Sequence, residues 1–215
     1  MSTAPFEKYQ DLYDAVQNYK DKETRNSVVQ LYGKIEKWDV SKISIFRDIF
    51  REIIFDDKDP DFHSSLDLND WNMSRAENIS YMFFFSNFNG YIGNWDTKNV
   101  IIAEYAFSNS KFEGLGDNIG SWNVEKLEET TSMFSDSKFS ADIREWKLKN
   151  IKFMEKMFYN CINITKFELN KWKEYIKAED VAMNNALKGT IYEIYEHRPY
   201  WYLPGAWERE IYRHY

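Results

Sequence analysis

The chain has 215 residues, of which 43% are hydrophobic and 29% charged, and its formal net charge is −7 at pH 7. The hydrophobic content suffices for a packed core and excludes a fully disordered chain. The negative charge disfavours non-specific nucleic-acid binding, which needs a basic surface that displaces counterions. No stretch of roughly 18 apolar residues is present, so no membrane-spanning helix is expected.

The beginning of the sequence and its cysteine usage bear on location. Residues 1–5 lack the basic and apolar regions of a secretory signal peptide. The single cysteine, Cys161, can form no disulfide within the chain, which fits a reducing compartment. A cytoplasmic or virion location without a signal peptide is therefore expected.

Residues 1–34 are predicted to form an N-terminal helical cap. Apolar side chains between residues 5 and 20 recur at helical spacing, and a second short helix is predicted over 24–33, ending near Gly33. An open repeat array exposes a cross-section of its core at each end, so atypical capping elements are expected there.

Residues 35–172 repeat a pattern that is anchored on tryptophan. The anchoring residues are Trp38, Trp71, Trp95, Trp122, Trp146 and Trp172, at separations of 33, 24, 27, 24 and 26 residues. Twelve residues after each of the first five lies a phenylalanine: Phe50, Phe83, Phe107, Phe134 and Phe158. Rings at fixed offsets in successive repeats predict two aromatic columns that stack to form a continuous core.

The spacing within each repeat predicts its local structure. Apolar residues at offsets −3, 0 and +2 from the tryptophan match the L-x-x-L-x-L pattern of a leucine-rich repeat, and the alternation around offset +1 is typical of a strand. Apolar residues at offsets +5, +8, +11 and +12 follow helical spacing. The predicted fold class is therefore α/β: a leucine-rich-repeat-like right-handed solenoid with one short parallel strand and one short helix per repeat.

Two insertions resemble ligand-binding loops. Residues 56–61 hold four aspartates, yet the order of ligands in an EF-hand is absent, so we predict a solvated loop and no metal site. Residues 114–118 contain two glycines, but neither a third glycine at the required spacing nor a Lys-Ser/Thr pair follows. This segment is predicted to be a turn, with no phosphate or cofactor site.

Residues 173–215 are predicted to form a C-terminal helix, stopped by Gly189, and an aromatic tail. The tail has two interpretations: a cap folded over the last repeat, or an aromatic anchor for a partner, since tyrosine and tryptophan are frequent at interface hot spots. The candidate partner-binding residues in the tail are Tyr200, Trp201, Tyr202 and Trp207.

A second candidate surface is the column at offset +1, which would point away from the core on the predicted strand face. Its members are Asp39, Asn72, Asp96, Asn123 and Lys147. One interpretation is a solvated face held by polar cross-strand pairs. The other is a docking surface on which charge steers association with a protein partner.

The repeat resembles a known family. The segments at 81–90, 92–100 and 119–124 are similar to the BspA-like repeat, which reads approximately isnWdvSnVtnMsyMFynaksFNgdI. The family was first described in mycoplasma and other bacterial surface lipoproteins and also occurs in large DNA viruses. The resemblance implies a leucine-rich-repeat-like solenoid that serves adhesion or protein–protein contact, and it carries no catalytic residues. The lipoprotein signal and lipid-bearing cysteine are missing from this sequence, which favours an intracellular or virion-borne member.

The residues point to no catalytic site. His63, His197 and His214 have no metal-ligand spacing, and the sequence contains no nucleophile-elbow, P-loop or zinc-protease motif. The predicted function is therefore non-catalytic: protein–protein interaction or scaffolding, with capsid proteins of a large DNA virus as candidate partners. The alternative is a cell-surface adhesion module of the bacterial type.

Overall fold

The computed structural model describes residues 5–114, 119–164, 169–193 and 197–202. Its two α-helices, α1 (Tyr9–Lys20) and α2 (Arg25–Tyr32), lie at the N-terminal end. Leu12, Val16 and Tyr19 of α1 are fully buried, as the amphipathic pattern of this segment predicts. The Tyr19 ring meets Trp38 edge-on at 5.4 Å, so the helix covers the first tryptophan.

The prediction of an α/β leucine-rich-repeat-like solenoid is wrong. Between residues 35 and 202, the described part of the chain contains neither an α-helix nor a continuous strand. It contains short 3₁₀ segments at Ile35–Lys37, Ile119–Ser121, Leu169–Glu174 and Ile191–Glu193. Its parallel contacts are isolated bridges: one joins Asp67 and Tyr91, and the others run along the column Ile45, Asn78, Ile102, Glu129, Phe153 and Ala182. The repeats are therefore built from turns.

The turn segment of each repeat is bonded to the next repeat by alternate backbone groups. In the second repeat the N–H groups of Ile79, Tyr81, Phe83 and Phe85 donate to the carbonyls of Ile102, Glu104, Ala106 and Ser108, at 2.8–3.0 Å. The intervening N–H groups of Met82 and Phe84 donate three residues back within the same repeat. The Ser80 N–H donates to the Asn78 side chain at 2.8 Å, so every backbone donor from Ile79 to Phe85 has a partner without helix or sheet.

The sign of φ explains why the predicted helix does not form. Two residues in each turn segment have positive φ, whereas an α-helix needs φ near −63°. They are Asp48, Glu52, Tyr81, Phe85, Tyr105, Asn109, Ser132, Asp136, Lys156, Asn160 and Asn185, all with φ between 54° and 62°, and Gly189 with φ 77°. These residues turn the chain twice per repeat, which is why the apolar spacing resembles that of a helix.

The tryptophans form one buried column, as predicted. Trp95 and Trp122 stack at 6.0 Å and 12°, and Trp122 and Trp146 at 6.4 Å and 5°. From Trp71 onward, each indole Nε1–H donates to a backbone carbonyl of the preceding repeat, for example Trp95 to Leu68 at 2.8 Å, whereas Trp38 donates to Gly33. The aliphatic residue at offset −3 therefore supplies both packing and an acceptor, since a buried indole needs a hydrogen-bond partner.

The phenylalanines form a second buried column, which is also as predicted. Phe83 and Phe107 stack at 5.4 Å, and Phe107 and Phe134 at 5.6 Å. Three residues after this column runs a line of buried small polar side chains: Ser86, Ser110, Ser137, Cys161 and Thr190. The hydroxyls of Ser110, Ser137 and Thr190 donate to the carbonyl three residues back, as Ser110 Oγ does to Phe107 at 2.6 Å, whereas Ser86 and Cys161 donate to carbonyls of the preceding repeat. Each buried polar group thereby has a partner.

The helix predicted between residue 173 and Gly189 is absent, and a sixth repeat takes its place. Met154 and Phe158 donate to the carbonyls of Ala182 and Ala186, at 2.8 and 2.9 Å, in the same register as the earlier repeats. Leu187 therefore occupies the position that phenylalanine holds elsewhere, and it is fully buried. The offset of +12 did not identify this position, because Leu187 replaces phenylalanine and lies fifteen residues after Trp172.

The positive φ values predict that substitution by glycine at some of these positions stabilises the folded chain. Lys156 is exposed and has φ 54°. Lys156→Gly should raise the free energy of unfolding by about 1 kcal/mol, because a left-handed conformation costs a residue with a Cβ about 1–2 kcal/mol. Lys138→Gly is the control, since Lys138 is exposed and is not among the residues with positive φ. Thermal unfolding should show the first variant stabilised and the second destabilised; equal destabilisation would contradict the backbone geometry.

Candidate protein-binding surface

A cluster of aromatic and arginine side chains lies at the surface of the first three turn segments. We call it the aromatic–arginine patch; its members are Arg47, Arg51, Tyr81, Phe84, Phe85 and Tyr105. Phe83 packs in the buried phenylalanine column, whereas Phe84 and Phe85 remain partly or largely exposed. Positive φ at Tyr81, Phe85 and Tyr105 produces the turns that bring these side chains together.

The rings of the patch contact one another. Tyr81 and Tyr105 stack at 4.9 Å and 12°, across two successive repeats. Phe84 meets Tyr81 at 5.5 Å, Tyr105 at 5.9 Å and Phe85 at 4.6 Å, in each case edge-on. Edge-on and stacked pairs are the favourable geometries for aromatic rings, so the four rings support one another in fixed positions. Phe85 is nevertheless 50% exposed, which leaves apolar surface available for contact.

The two arginines cover one side of the ring cluster. The guanidinium carbon of Arg47 lies 4.9 Å from the Tyr81 ring centre, and that of Arg51 lies 5.3 Å from Phe84. These distances are within the range of cation–π attraction. Asp48 accepts from both arginines, at 3.1 and 3.2 Å. The arginine side chains keep 49% and 42% exposure, so they are oriented while they remain accessible.

Helix α1 borders the patch. The Tyr9 hydroxyl donates to the backbone carbonyl of Arg47 at 2.9 Å, and the Tyr9 and Tyr13 rings lie 6.0 Å apart. The first repeat has no preceding turn segment to bond this carbonyl, and the helix supplies the donor. The backbone that carries Arg47 is therefore fixed by the N-terminal helix as well as by the repeats.

Two glutamates lie beyond the rings, in the third and fourth repeats. Burial and the neighbouring Glu129 raise the pKa of Glu104 above its ordinary value. Neither Glu104 nor Glu129 forms an ion pair with any residue in the described ranges. Arg47 and the Tyr81 hydroxyl act on the Glu104 pKa in the opposite direction, and Asp48 and Glu52 balance the two arginines, so charges of both signs surround the rings.

The predicted column at offset +1 lies on turns, not on a strand face. Its side-chain oxygens accept the backbone N–H two residues on: Asp39 from Ser41 at 3.0 Å, Asn72 from Ser74 at 3.1 Å, Asp96 from Lys98 at 3.4 Å and Asn123 from Glu125 at 3.1 Å. This is the hydrogen bond of an Asx turn. Lys147 cannot accept it, and its ammonium lies 4.0 Å from Glu125 instead. The residue types of this column are explained by local turn formation.

The Asx turns predict that alanine substitutions within the offset +1 column lower the free energy of unfolding by different amounts. Asn72→Ala should lower the free energy of unfolding by about 0.5–1.5 kcal/mol, because it removes a turn hydrogen bond. Lys147→Ala should change stability little, since Lys147 makes no such bond. Chemical denaturation of the two variants tests this; equal stability of the Asn72 and Lys147 variants would contradict the structural role of the amide.

The tail residues divide between core and surface. Trp201 is only 4% exposed, its ring lies 5.6 Å from that of Trp172 at a tilt of 33°, and its Nε1–H donates to the Leu169 carbonyl at 2.7 Å. It is therefore the seventh member of the tryptophan column, and Tyr202 beside it is also buried. Only Tyr200, at 86% exposure, is available to a partner, and Trp207 lies outside the described residues.

The aspartates of the 56–61 loop face cations of the chain itself. Arg25 donates twice to the buried Asp59 carboxylate, at 2.8 and 2.9 Å, which lowers the Asp59 pKa to about 2. Lys34 and Asp61 lie 3.0 Å apart. The loop therefore joins the N-terminal helices to the first repeat. The described part of the chain contains no group of three or more side chains that could hold a metal ion.

The groups with chemical reactivity are either buried or isolated. Burial raises the pKa of the Cys161 thiol to about 11, so the thiol is protonated at neutral pH. His63 contacts the Ser65 hydroxyl at 2.9 Å, but both residues lie on a surface loop. Neither feature encloses a site for a substrate.

Sequence reasoning missed the aromatic–arginine patch, although a signal was present. In the third to fifth repeats, the two residues after the phenylalanine at offset +12 are polar or include a single tyrosine. In the second repeat they are Phe84 and Phe85. The predicted helical pattern ended at offset +12 and assigned no role to these positions. For Trp201, the separation of 29 residues from Trp172 lies within the range of the other intervals and could have identified it.

Comparison with known proteins gives one family. The family model described as Mycoplasma protein of unknown function, DUF285, matches residues 14–114 and 52–172. No curated protein and no solved structure matches the chain. Among the residues that the structure describes, no helix is both long enough and apolar enough to span a bilayer.

Proposed function

We propose that this chain, which belongs to the DUF285 family of Mycoplasma proteins, binds other proteins. The binding surface is the aromatic–arginine patch, and the function is non-catalytic. The family model describes a protein of unknown function, so the proposal is based on the structure of the patch. The single observation that supports it most is the contact cluster of four rings and two arginines at the surface of the first three repeats.

The composition of the patch fits a protein contact. Tyrosine and arginine are enriched at interface hot spots, where a few residues provide most of the binding energy. Rings that are already fixed by neighbours lose little conformational freedom on binding, which favours affinity. The backbone that carries these rings is hydrogen-bonded to the next repeat at every second residue, which holds the patch in position.

A scaffold of this kind fits two settings, both drawn from the resemblance to BspA-like repeats. One is a minor structural component of a large DNA virus particle, in the cytoplasm or the virion. The other is an adhesion or recognition module of the bacterial surface type. The Mycoplasma description of the matching family favours the second.

Copurification with matched variants tests the proposal. A tagged chain is recovered from its own cells, and the partners are quantified by mass spectrometry with Phe85→Ser and Arg51→Ala variants alongside. Ile162→Ser is the control, because Ile162 is 64% exposed and lies outside the patch. We expect both patch variants to lose a partner that wild type and the Ile162 variant retain.

The opposite result rejects the proposal. If both patch variants are folded, by their melting curves, and recover every partner in wild-type amounts, the aromatic–arginine patch is not the binding surface. Loss of the partner on substitution of Tyr200 alone would instead assign the contact to the C-terminal end.

A further inference from the structure

Three asparagines of the chain lie in the sequence Asn-x-Ser/Thr, which is the acceptor motif for N-linked sugars. They are Asn72, followed by Ser74; Asn78, followed by Ser80; and Asn163, followed by Thr165. The motif is read through the side-chain amide nitrogen and the hydroxyl two residues on. A transferase that acts on the folded chain therefore needs access to both groups, and the three motifs differ in this respect.

The Asn72 motif presents both groups. Asn72 is exposed and Ser74 is half-buried. Their Asx turn uses only the side-chain oxygen of Asn72, which accepts from the Ser74 N–H at 3.1 Å. Within the described part of the chain, the Nδ2 of Asn72 and the Ser74 hydroxyl have no hydrogen-bond partner. The turn therefore fixes the amide while its nitrogen stays available.

The Asn78 motif is closed by burial. Ser80 is 1% exposed, and its Oγ is buried. The backbone ladder holds this segment on both sides, since Asp48 donates to the Ser80 carbonyl at 3.1 Å and Ile79 donates to the Ile102 carbonyl at 2.9 Å. A transferase could reach the Ser80 hydroxyl only if the second repeat separated from its neighbours.

The amide nitrogen of the Asn163 motif is already engaged. The Nδ2 of Asn163 donates to the Lys138 carbonyl of the preceding repeat at 3.2 Å, and Asn163 is half-buried. Its use as a nucleophile would break this contact between two repeats. Thr165 lies outside the described residues.

We propose that Asn72 is a site of N-linked glycosylation, used in preference to the other two motifs because the folded chain presents it. The inference goes beyond the proposed function. It requires the bacterial-surface setting, because such acceptors are used on the surface loops of exported proteins. The Mycoplasma description of the family is consistent with that setting.

The co-reactant is a sugar linked through a diphosphate to a lipid carrier. The Nδ2 of Asn72 attacks the anomeric carbon of the sugar, and the carbon–oxygen bond to the diphosphate breaks as the carbon–nitrogen bond forms. One amide proton passes to a base of the transferase, and the lipid diphosphate leaves. The side-chain oxygen is unchanged, so the Asx turn persists. Asp39 and Asp96, the neighbours in the offset +1 column, are polar and at least partly exposed, so the bulky hydrophilic sugar meets a polar surface.

Intact-mass spectrometry of the chain purified from its own cells tests the inference. We expect a mass above that of the sequence by whole monosaccharide residues, and fragmentation should place the excess on Asn72. Ser74→Ala should remove the excess, because the acceptor hydroxyl is lost while the backbone N–H of the Asx turn remains. Ser74→Thr should retain it, since threonine keeps the hydroxyl. Asn163→Gln is the control and should leave the excess unchanged. Melting curves establish that each variant is folded.

Three results would overturn the inference. The first is a chain from its own cells that has the mass of the unmodified sequence. The second is an excess that maps to Asn78 or Asn163, because burial and hydrogen bonding would then not select the acceptor. The third is an excess that survives Ser74→Ala. None of these results concerns the aromatic–arginine patch, so the proposed function is tested separately.

Discussion

Truncation of Trp71 or Phe107 to alanine should lower the free energy of unfolding by about 3–5 kcal/mol, the range for aromatic truncation in a packed core. Trp71 is 2% exposed, stacks on Trp38 at 6.3 Å and lies 5.6 Å from Phe50. Its Nε1–H also donates to the Ile35 carbonyl at 2.8 Å, and alanine would remove that donor. Each loss interrupts a column through which successive repeats stack.

Thermal unfolding measures this effect. For a chain of this length, a loss of 4 kcal/mol corresponds to a decrease in Tm of about 10 °C. Phe85→Ala is the matched control for Phe107→Ala, because Phe85 is half-exposed and belongs to no column. If all three variants melted within a few degrees of wild type, the rings of the two columns could not form the core.

Removal of the Arg25–Asp59 ion pair should have a comparable effect. Both side chains are buried, with 9% and 4% exposure, and two hydrogen bonds join them. Asp59→Asn leaves the guanidinium without its anionic partner, and breaking a buried pair in this way costs about 3–5 kcal/mol. The double change Arg25→Met/Asp59→Leu should recover much of the loss, because no buried charge then remains unpaired.

The same pair predicts a pH dependence. The Asp59 pKa is lowered from 3.8 to about 2 in the folded chain, so its stabilisation is fully present above pH 3.8 and is lost as the pH falls toward 2. The stability difference between wild type and Asp59→Asn should therefore shrink over this interval. Asp61→Asn is the control, since its pair with Lys34 is exposed and solvent screens it. A difference that is constant between pH 4 and pH 2 would show that Asp59 is not ionised in the pair.

The repeat and its core could be predicted from the sequence because ring burial follows directly from residue type and spacing. Trp95, Trp122 and Phe107 are buried in columns, as their offsets indicate. The elements between the rings could not be predicted from periodicity. Tyr81, Phe85 and Tyr105 are residue types that rarely adopt positive φ, and only the hydrogen bonds to neighbouring repeats impose it. Tertiary contacts therefore overrode the local preference for a helix.

The candidate site was missed for a different reason. Tyr81 and Tyr105 lie at one offset from their tryptophans, as do Arg51 and Phe84, and repeats stacked in register bring them together. The predicted pattern covered apolar offsets up to +12 and did not align these positions. The offset +1 column drew attention because it is exposed and polar, yet its oxygens serve Asx turns within each repeat. For Trp201 the sequence left a cap and a partner anchor open, and its burial against Trp172 fits the cap.

Backbone φ angles at Tyr81, Phe85 and Tyr105, obtained from NMR scalar couplings of the folded chain, test most directly whether turns present the aromatic–arginine patch. The stacked-turn fold predicts φ between about +50° and +70° at all three, the left-handed region. Asn109, with φ 54°, provides a fourth site of the same kind. Values near −63° at these residues would mean that a helix is present. Such values would contradict the stacked-turn fold and the turns that carry the aromatic–arginine patch.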